Sequence, residues 1–171
     1  RLSKSVESVV EGRAGLVVAI SHDDYETNVG GTQNLVRDER LAFEDGGWAH
    51  LHLSPAVPLP MLAPPGDAGE FRFAIRLGME SIGTATTAAL VSVLSEVRRS
   101  AKPVRVVIHH LLGMLPESVV QVAAQSNYRA AVWVHDYFTI CPNFNLLRND
   151  VRFCGGPAEH SGACRICVYG E

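Results

Sequence analysis

The sequence predicts an α/β fold built on a doubly wound, mainly parallel sheet, and three observations predict it. Leu16–Ser21 is a continuous apolar run, the pattern of a strand covered on both faces, while Val104–His109 reads as a buried strand and Ala130–Val134 as one more apolar strand. Longer stretches between them space their apolar side chains as helices do. Strands alternating with such helices imply right-handed crossovers and a parallel sheet. In sheets of this kind ligands bind at the carboxyl ends of the strands.

Leu16–Ser21 reads as the first strand. After the polar stretch His22–Val29, Gly30-Gly31 precede a helix that runs from a Thr32 cap to the Gly46-Gly47 stop. Its apolar stripe is Leu35, Val36, Ala42 and Phe43, with Glu39 inside it. A carboxylate there implies either a tilted helix that leaves it at the edge or a functional role. Ala49–Leu53 alternates with His50 and His52 and reads as a half-covered, peripheral strand whose histidines are surface or packing residues. Pro55–Gly69, with five prolines and two glycines, is a loop or insertion. Phe71–Leu77 is a strand, and Thr84–Ser100 a helix ending in Arg98 and Arg99, where cations suit the dipole. Val104–His109 is a buried strand, Pro116 opens a helix through about Gln125, and Ala130–Val134 is a last strand. From Cys141 onward the chain is loop-like.

Three strand ends carry polar clusters: Ser21-His22-Asp23-Asp24, His109-His110 and His135-Asp136-Tyr137. Imidazoles suit both sugar-hydroxyl hydrogen bonds and proton transfer near neutral pH. His109 and His110 point to opposite faces if both stay extended, so one of them faces a cleft. Gly30-Gly31 ahead of a helix would let backbone amides approach an anion or a sugar; the plain alternative is a turn that needs positive φ. Cys141, Cys154, Cys164 and Cys167 form C-x12-C-x9-C-x2-C, in which four thiolates could complete a structural zinc shell. His160 is a reserve ligand; disulfides and free thiols are the alternatives.

Composition narrows the function classes. At 171 residues one domain, 1–171, with one core is expected, the cysteine loop 141–167 lying within it. A net charge of -3 with scattered Lys and Arg offers no basic stripe for nucleic acid. Apolar stretches such as Ala88–Leu94 fall far short of the ~20 residues that span a bilayer. The opening Arg1-Leu2-Ser3-Lys4 is unlike a secretory leader, so a cytoplasmic location is expected. The missing initial Met and the end at Glu171 read as a piece of something longer. G-x-G-x-x-G after a strand and the phosphate-binding G-x-x-x-x-G-K-[ST] are both absent, which disfavours a standalone dehydrogenase or kinase.

Ser21-His22 at a strand end, the Gly30-Gly31 loop, Val107-Ile108-His109-His110-Leu111-Leu112-Gly113 and Val134-His135-Asp136-Tyr137-Phe138 resemble, in order and spacing, the N-terminal domain of GT-B glycosyltransferases. Family four is the nearest likeness. The tail HDYFTICPNFNLL followed by C-G-G-P and C-x2-C is similar to a cysteine-bearing subgroup that acts in polysaccharide and O-antigen assembly. The resemblance implies a Rossmann-like, acceptor-side domain that works with a second, donor-binding domain in retaining transfer from a nucleotide-sugar to a glycan or lipid-linked acceptor. It implies no cofactor for transfer in this domain and, for the full-length protein, a cytoplasmic or peripheral inner-membrane location. By the same likeness Gly30 and Gly31 approach the donor phosphates and His110 contacts the transferred sugar. His22, His135, Asp136 and Tyr137 would then line the donor and acceptor cleft. The family's second domain holds an E-x7-E motif, and no two glutamates here have that separation. A non-catalytic carbohydrate-binding or assembly module and a zinc-stabilised interaction domain are the alternative functions.

Overall fold

The computed structural model describes residues 2–138, 141, 146–148, 151–156 and 162–164. The chain divides into two compact units, Arg1–Trp133 and Val134–Glu171. The first is α/β, its elements running α1 (Leu2–Val10), β1 (Leu16–Ile20), α2 (Gly31–Asp45), β2 (Ala49–Pro55), β3 (Arg72–Leu77), β4 (Glu80–Thr86), α3 (Thr87–Arg99), β5 (Val104–Ile108), α4 (Pro116–Ala123) and β6 (Ala131–Val132). The second contains a short antiparallel pair, β7 (Leu147–Arg148) and β8 (Arg152–Phe153).

Six strands form one sheet in the order β4-β3-β2-β1-β5-β6. The β1–β2, β1–β5 and β5–β6 pairs are parallel, and β3 runs antiparallel to both its neighbours. This mostly parallel sheet flanked by helices is consistent with a Rossmann-like fold. From β1 the chain winds outward to β2 and the β3–β4 hairpin, then crosses back through α3 to β5 on the other side of β1. The winding therefore reverses between β1 and β5, and a doubly wound sheet opens its crevice outside the carboxyl ends of such a strand pair.

The two faces of the sheet differ in chemistry. Leu16, Val18 and Ile20 of β1, Leu51 and Leu53 of β2 and Val104 and Val106 of β5 share one alternation phase and join the main apolar core with Val6, Val10, Leu90, Leu94, Val97, Val119 and Val122 of α1, α3 and α4. The opposite phase mixes apolar side chains with histidine, serine and arginine. Register aligns Val17, His50 and Arg105 in one row and Ala19, His52 and Val107 in the next, with Arg76 of β3 opposite His52. Among the described residues the hydrophobic cluster on that side is the small one of Ala19, Tyr25 and Val36.

Several sequence expectations are corrected. β2 lies between β1 and β3 and all seven of its residues are buried, so it is neither peripheral nor half-covered. His50 and His52 are each 1 % exposed. The helix expected from Thr84 starts at Thr87, with the Thr86 hydroxyl accepting the Ala89 amide at 3.3 Å, and the residues before it form β4. Strand β4 is a mostly exposed edge, so no buried stripe marks it in the sequence. Helix α1 has no counterpart among the expected elements, and its buried residues are Val6 and Val10. Helix α2 begins one residue early, capped by Gly30 without any side-chain hydrogen bond, and Thr32 is not its cap.

Candidate functional site

Strands β1 and β5 end in register, Ile20 beside Ile108, so the residues that follow them leave the sheet side by side. The ladder continues one step further on both sides: His109 donates its amide to the Ile20 carbonyl at 2.8 Å, and Ser21 donates to Leu53 at 3.0 Å. His109 turns into the polar layer under α2 and is buried, whereas His110 is half-buried at the rim. The His110 ring meets His22 edge to face, centroids 4.8 Å apart. The Leu112 amide donates to His110 Nδ1 at 3.0 Å, which places the proton of the neutral ring on Nε2.

Helix α2 brings its first turn to the same rim through Gln33. The Gln33 amide nitrogen donates to Asp23 Oδ1 at 2.5 Å and to His22 Nε2 at 3.3 Å, so the neutral His22 ring carries its proton on Nδ1. Gly30 makes room for this bridge, because a Cβ there would lie 2.4 Å from Gln33 Oε1. Its φ of 178° is ordinary extended backbone, and Gly31 is the first helical residue, so neither glycine answers a need for positive φ. A Cβ on Gly31 would meet no atom within 4 Å. Nothing in the fold demands glycine at that position, and the open space lies at the positive end of the α2 dipole. Gly31→Ala is accordingly expected to leave the melting temperature unchanged or to stabilise by about 0.5 kcal/mol, read by urea denaturation.

The loop between β1 and α2 is fixed from three sides. Arg76 grips Asp24 with two hydrogen bonds, at 3.0 and 2.6 Å, and also donates to the Met79 carbonyl. Burial pushes the Asp24 carboxyl up, but the Arg76 hydrogen bond, the Glu26 amide and the Arg76 charge outweigh it and hold it below the usual range. Tyr25 donates its hydroxyl to Gly78 at 2.7 Å, and burial raises that phenol to about 12. Arg37 donates to the Tyr25 carbonyl at 2.5 Å. His22 and Asp23 thus stand on an ordered platform.

Below the rim lies a polar layer that sequence reasoning missed. The Ser21 hydroxyl gives its proton to the Asp23 carbonyl, so the 2.7 Å contact with His52 has His52 Nε2 as donor. Glu39 does not sit idle at the helix edge: its carboxylate is 3.2 Å from His109 Nε2 and accepts the Trp133 indole N–H at 3.1 Å. His50 is fully buried with neither ring nitrogen hydrogen-bonded among the described residues. Burial is the main cause that drives His50 down to about 4 and His52 to about 3. The signal available in the sequence was the phase of His50 and His52 on an apolar strand, together with Glu39 inside an apolar stripe.

His135, Asp136 and Tyr137 belong to the second unit. There Asp136 accepts the Phe138 amide at 2.8 Å and the Tyr137 carbonyl accepts the Cys141 amide at 2.7 Å. Cys141 and Cys154 are partly buried, Cys164 is exposed, and no disulfide joins these three. Among the described residues no group of three His, Cys, Asp or Glu side chains is placed to hold a metal ion. Cys167 and His160 lie outside the described residues, and so does any four-thiolate shell that includes Cys167. Of the residues singled out in the sequence, the structure therefore brings His22, Gly30, Gly31 and His110 to one rim, and adds Asp23 and Gln33 to them. No helix among the described residues is long and apolar enough to cross a membrane. No family model matches the chain, nor does any curated protein or solved structure.

Proposed function

We propose that this chain is the acceptor-side domain of a retaining, GT-B glycosyltransferase resembling family four, which moves a sugar from a nucleotide-sugar to a glycan or lipid-linked acceptor in concert with a donor-binding domain. The single observation that supports this reading is the meeting of His22 and His110, 4.8 Å apart, with the Gln33 bridge to the Gly30-Gly31 turn, at the point where the sheet reverses its winding. In this reading the Gly30 and Gly31 amides and the α2 dipole face the donor phosphates. His110, with Nδ1 occupied by the Leu112 amide, presents an Nε2 proton to a hydroxyl of the transferred sugar. Gln33 and Asp23 keep the His22 ring in place beside it.

In the full-length protein, His110→Ala is expected to lower transfer from a nucleotide-sugar by at least ~10²-fold with the circular dichroism spectrum unchanged. Turnover retained within a few-fold would remove His110 from the reaction. A full-length protein that turns over no nucleotide-sugar would remove the enzyme reading altogether.

A further inference from the structure

Between α2 and the β5–β6 edge of the first unit lies a groove of about 340 Å³, large enough for a small organic molecule. Val107 and Ala131, paired across the two strands, form its floor, and Phe43 of α2 lines it as well. Its two ends differ in chemistry. At one end stands Trp133, half-exposed, with its indole N–H donated to Glu39 at 3.1 Å and its ring stacked on His109 with 16° between the planes. The indole is thereby held as a flat wall. Glu39 beside it has one oxygen on that indole and the other 3.2 Å from His109 Nε2, so this end is not short of a cation.

Arg105 and Arg129 line the other end, each two residues before the Val107–Ala131 pair and so about 13 Å along the strands from Trp133. The Arg105 guanidinium rests on two rings, its carbon 4.3 Å from the Tyr128 centroid and 5.2 Å from that of Trp48. Such contacts engage the faces of a guanidinium and leave its N–H edge for an oxyanion. The arginine ion pairs among the described residues belong to Arg37, Arg40, Arg76 and Arg99, and neither Arg105 nor Arg129 has a carboxylate partner or a side-chain hydrogen bond there. Two neighbouring cations without an acid stand out in a chain of net charge -3, and an anion is the group that would complete them. With the carboxylate at the Trp133 end and the cations at the other, a ligand has one favourable orientation.

We propose that this groove binds a small aromatic carboxylate, with its anion on Arg105 and Arg129 and its ring system between Phe43 and Trp133. The inference stands apart from the transferase reading, because neither His22 nor His110 lines the groove. The probe is 2-naphthoate, followed by titration calorimetry and by NMR of the indole N–H groups of the two tryptophans. Saturable one-to-one binding is expected, with the Trp133 indole signal shifted. Arg105→Gln is expected to weaken it at least about tenfold, and neutral 2-naphthamide to bind at least about tenfold more weakly than the acid. Should Arg105→Gln fail to fold, Ala131→Phe provides the reading, since its ring would fill the floor of the groove and is expected to abolish binding with the melting temperature unchanged. Absence of saturable naphthoate binding, a stationary Trp133 signal, equal affinity for the amide, or unaltered affinity in a folded Arg105→Gln or Ala131→Phe variant would overturn the proposal.

Discussion

Denaturation by urea is expected to show stability falling as pH drops below about 6.5, with a loss of roughly 2 kcal/mol for each of His50 and His52 by about pH 5. Both rings are buried neutral, with folded values of about 4 and 3. The unfolded chain therefore binds protons that the folded chain refuses, and stability is greatest above the unfolded value. It declines as pH falls through the window between the two and levels off below the folded values. A combined loss near 4 kcal/mol is a large fraction of the 5–15 kcal/mol that holds an ordinary domain together. His50→Leu should remove about half of this acid sensitivity. It should also stabilise the chain at neutral pH by about 1–3 kcal/mol, because neither His50 ring nitrogen has a hydrogen-bond partner among the described residues. A stability curve for His50→Leu that overlays the wild type from neutral to acid pH would mean that the ring is hydrated in solution.

Asp24→Ala should be the most damaging single change in the loop between β1 and α2, costing about 3 kcal/mol in the same assay. Arg76 is 9 % exposed, and among the described residues its guanidinium would keep one hydrogen bond, to the Met79 carbonyl. An almost buried cation without its acid is worse than no cation at all, so adding Arg76→Met to Asp24→Ala should recover stability. The sign of the pH dependence also follows. Because the Asp24 carboxyl is held below its usual range, its contribution is full at neutral pH and fades as acid protonates it. A double variant less stable than Asp24→Ala alone would show that Arg76 earns its place through packing over Tyr25 and not through the ion pair.

Strand β1 was legible in the sequence because a strand covered on both faces is apolar at every position, and β5 because only the exposed Arg105 interrupts its apolar run. Strand-end polar residues were legible for the same reason, since the run stops where the backbone leaves the sheet. His110 at the rim and His109 under α2 follow from simple alternation. Strand β4 escaped notice because an exposed edge needs no apolar stripe, and α1 because two valines suffice to seat it. The misreading of β2 as a half-covered strand has a different origin. Alternating polarity is the sign of a half-covered strand when the polar side meets water, but here α2 covers that side, and the sequence does not say where a helix lies. Gln33 was invisible for a related reason: its importance comes from Asp23, His22 and the bare Gly30, residues that only folding brings to it.

The inequality of the two sheet faces has a consequence for motion. Among the described residues three helices close one side with interlocking hydrocarbon, whereas α2 closes the other over a mixture of small apolar side chains, imidazoles, guanidinium groups and a carboxylate. Hydrocarbon that opens to solvent loses its whole driving force, but paired polar groups that open exchange one set of hydrogen bonds for another with water. The α2 side is therefore the softer half, the part that can lift briefly while the remainder stays folded. Because the Gly30-Gly31 turn starts that helix, such partial openings would reach the rim where the histidines meet.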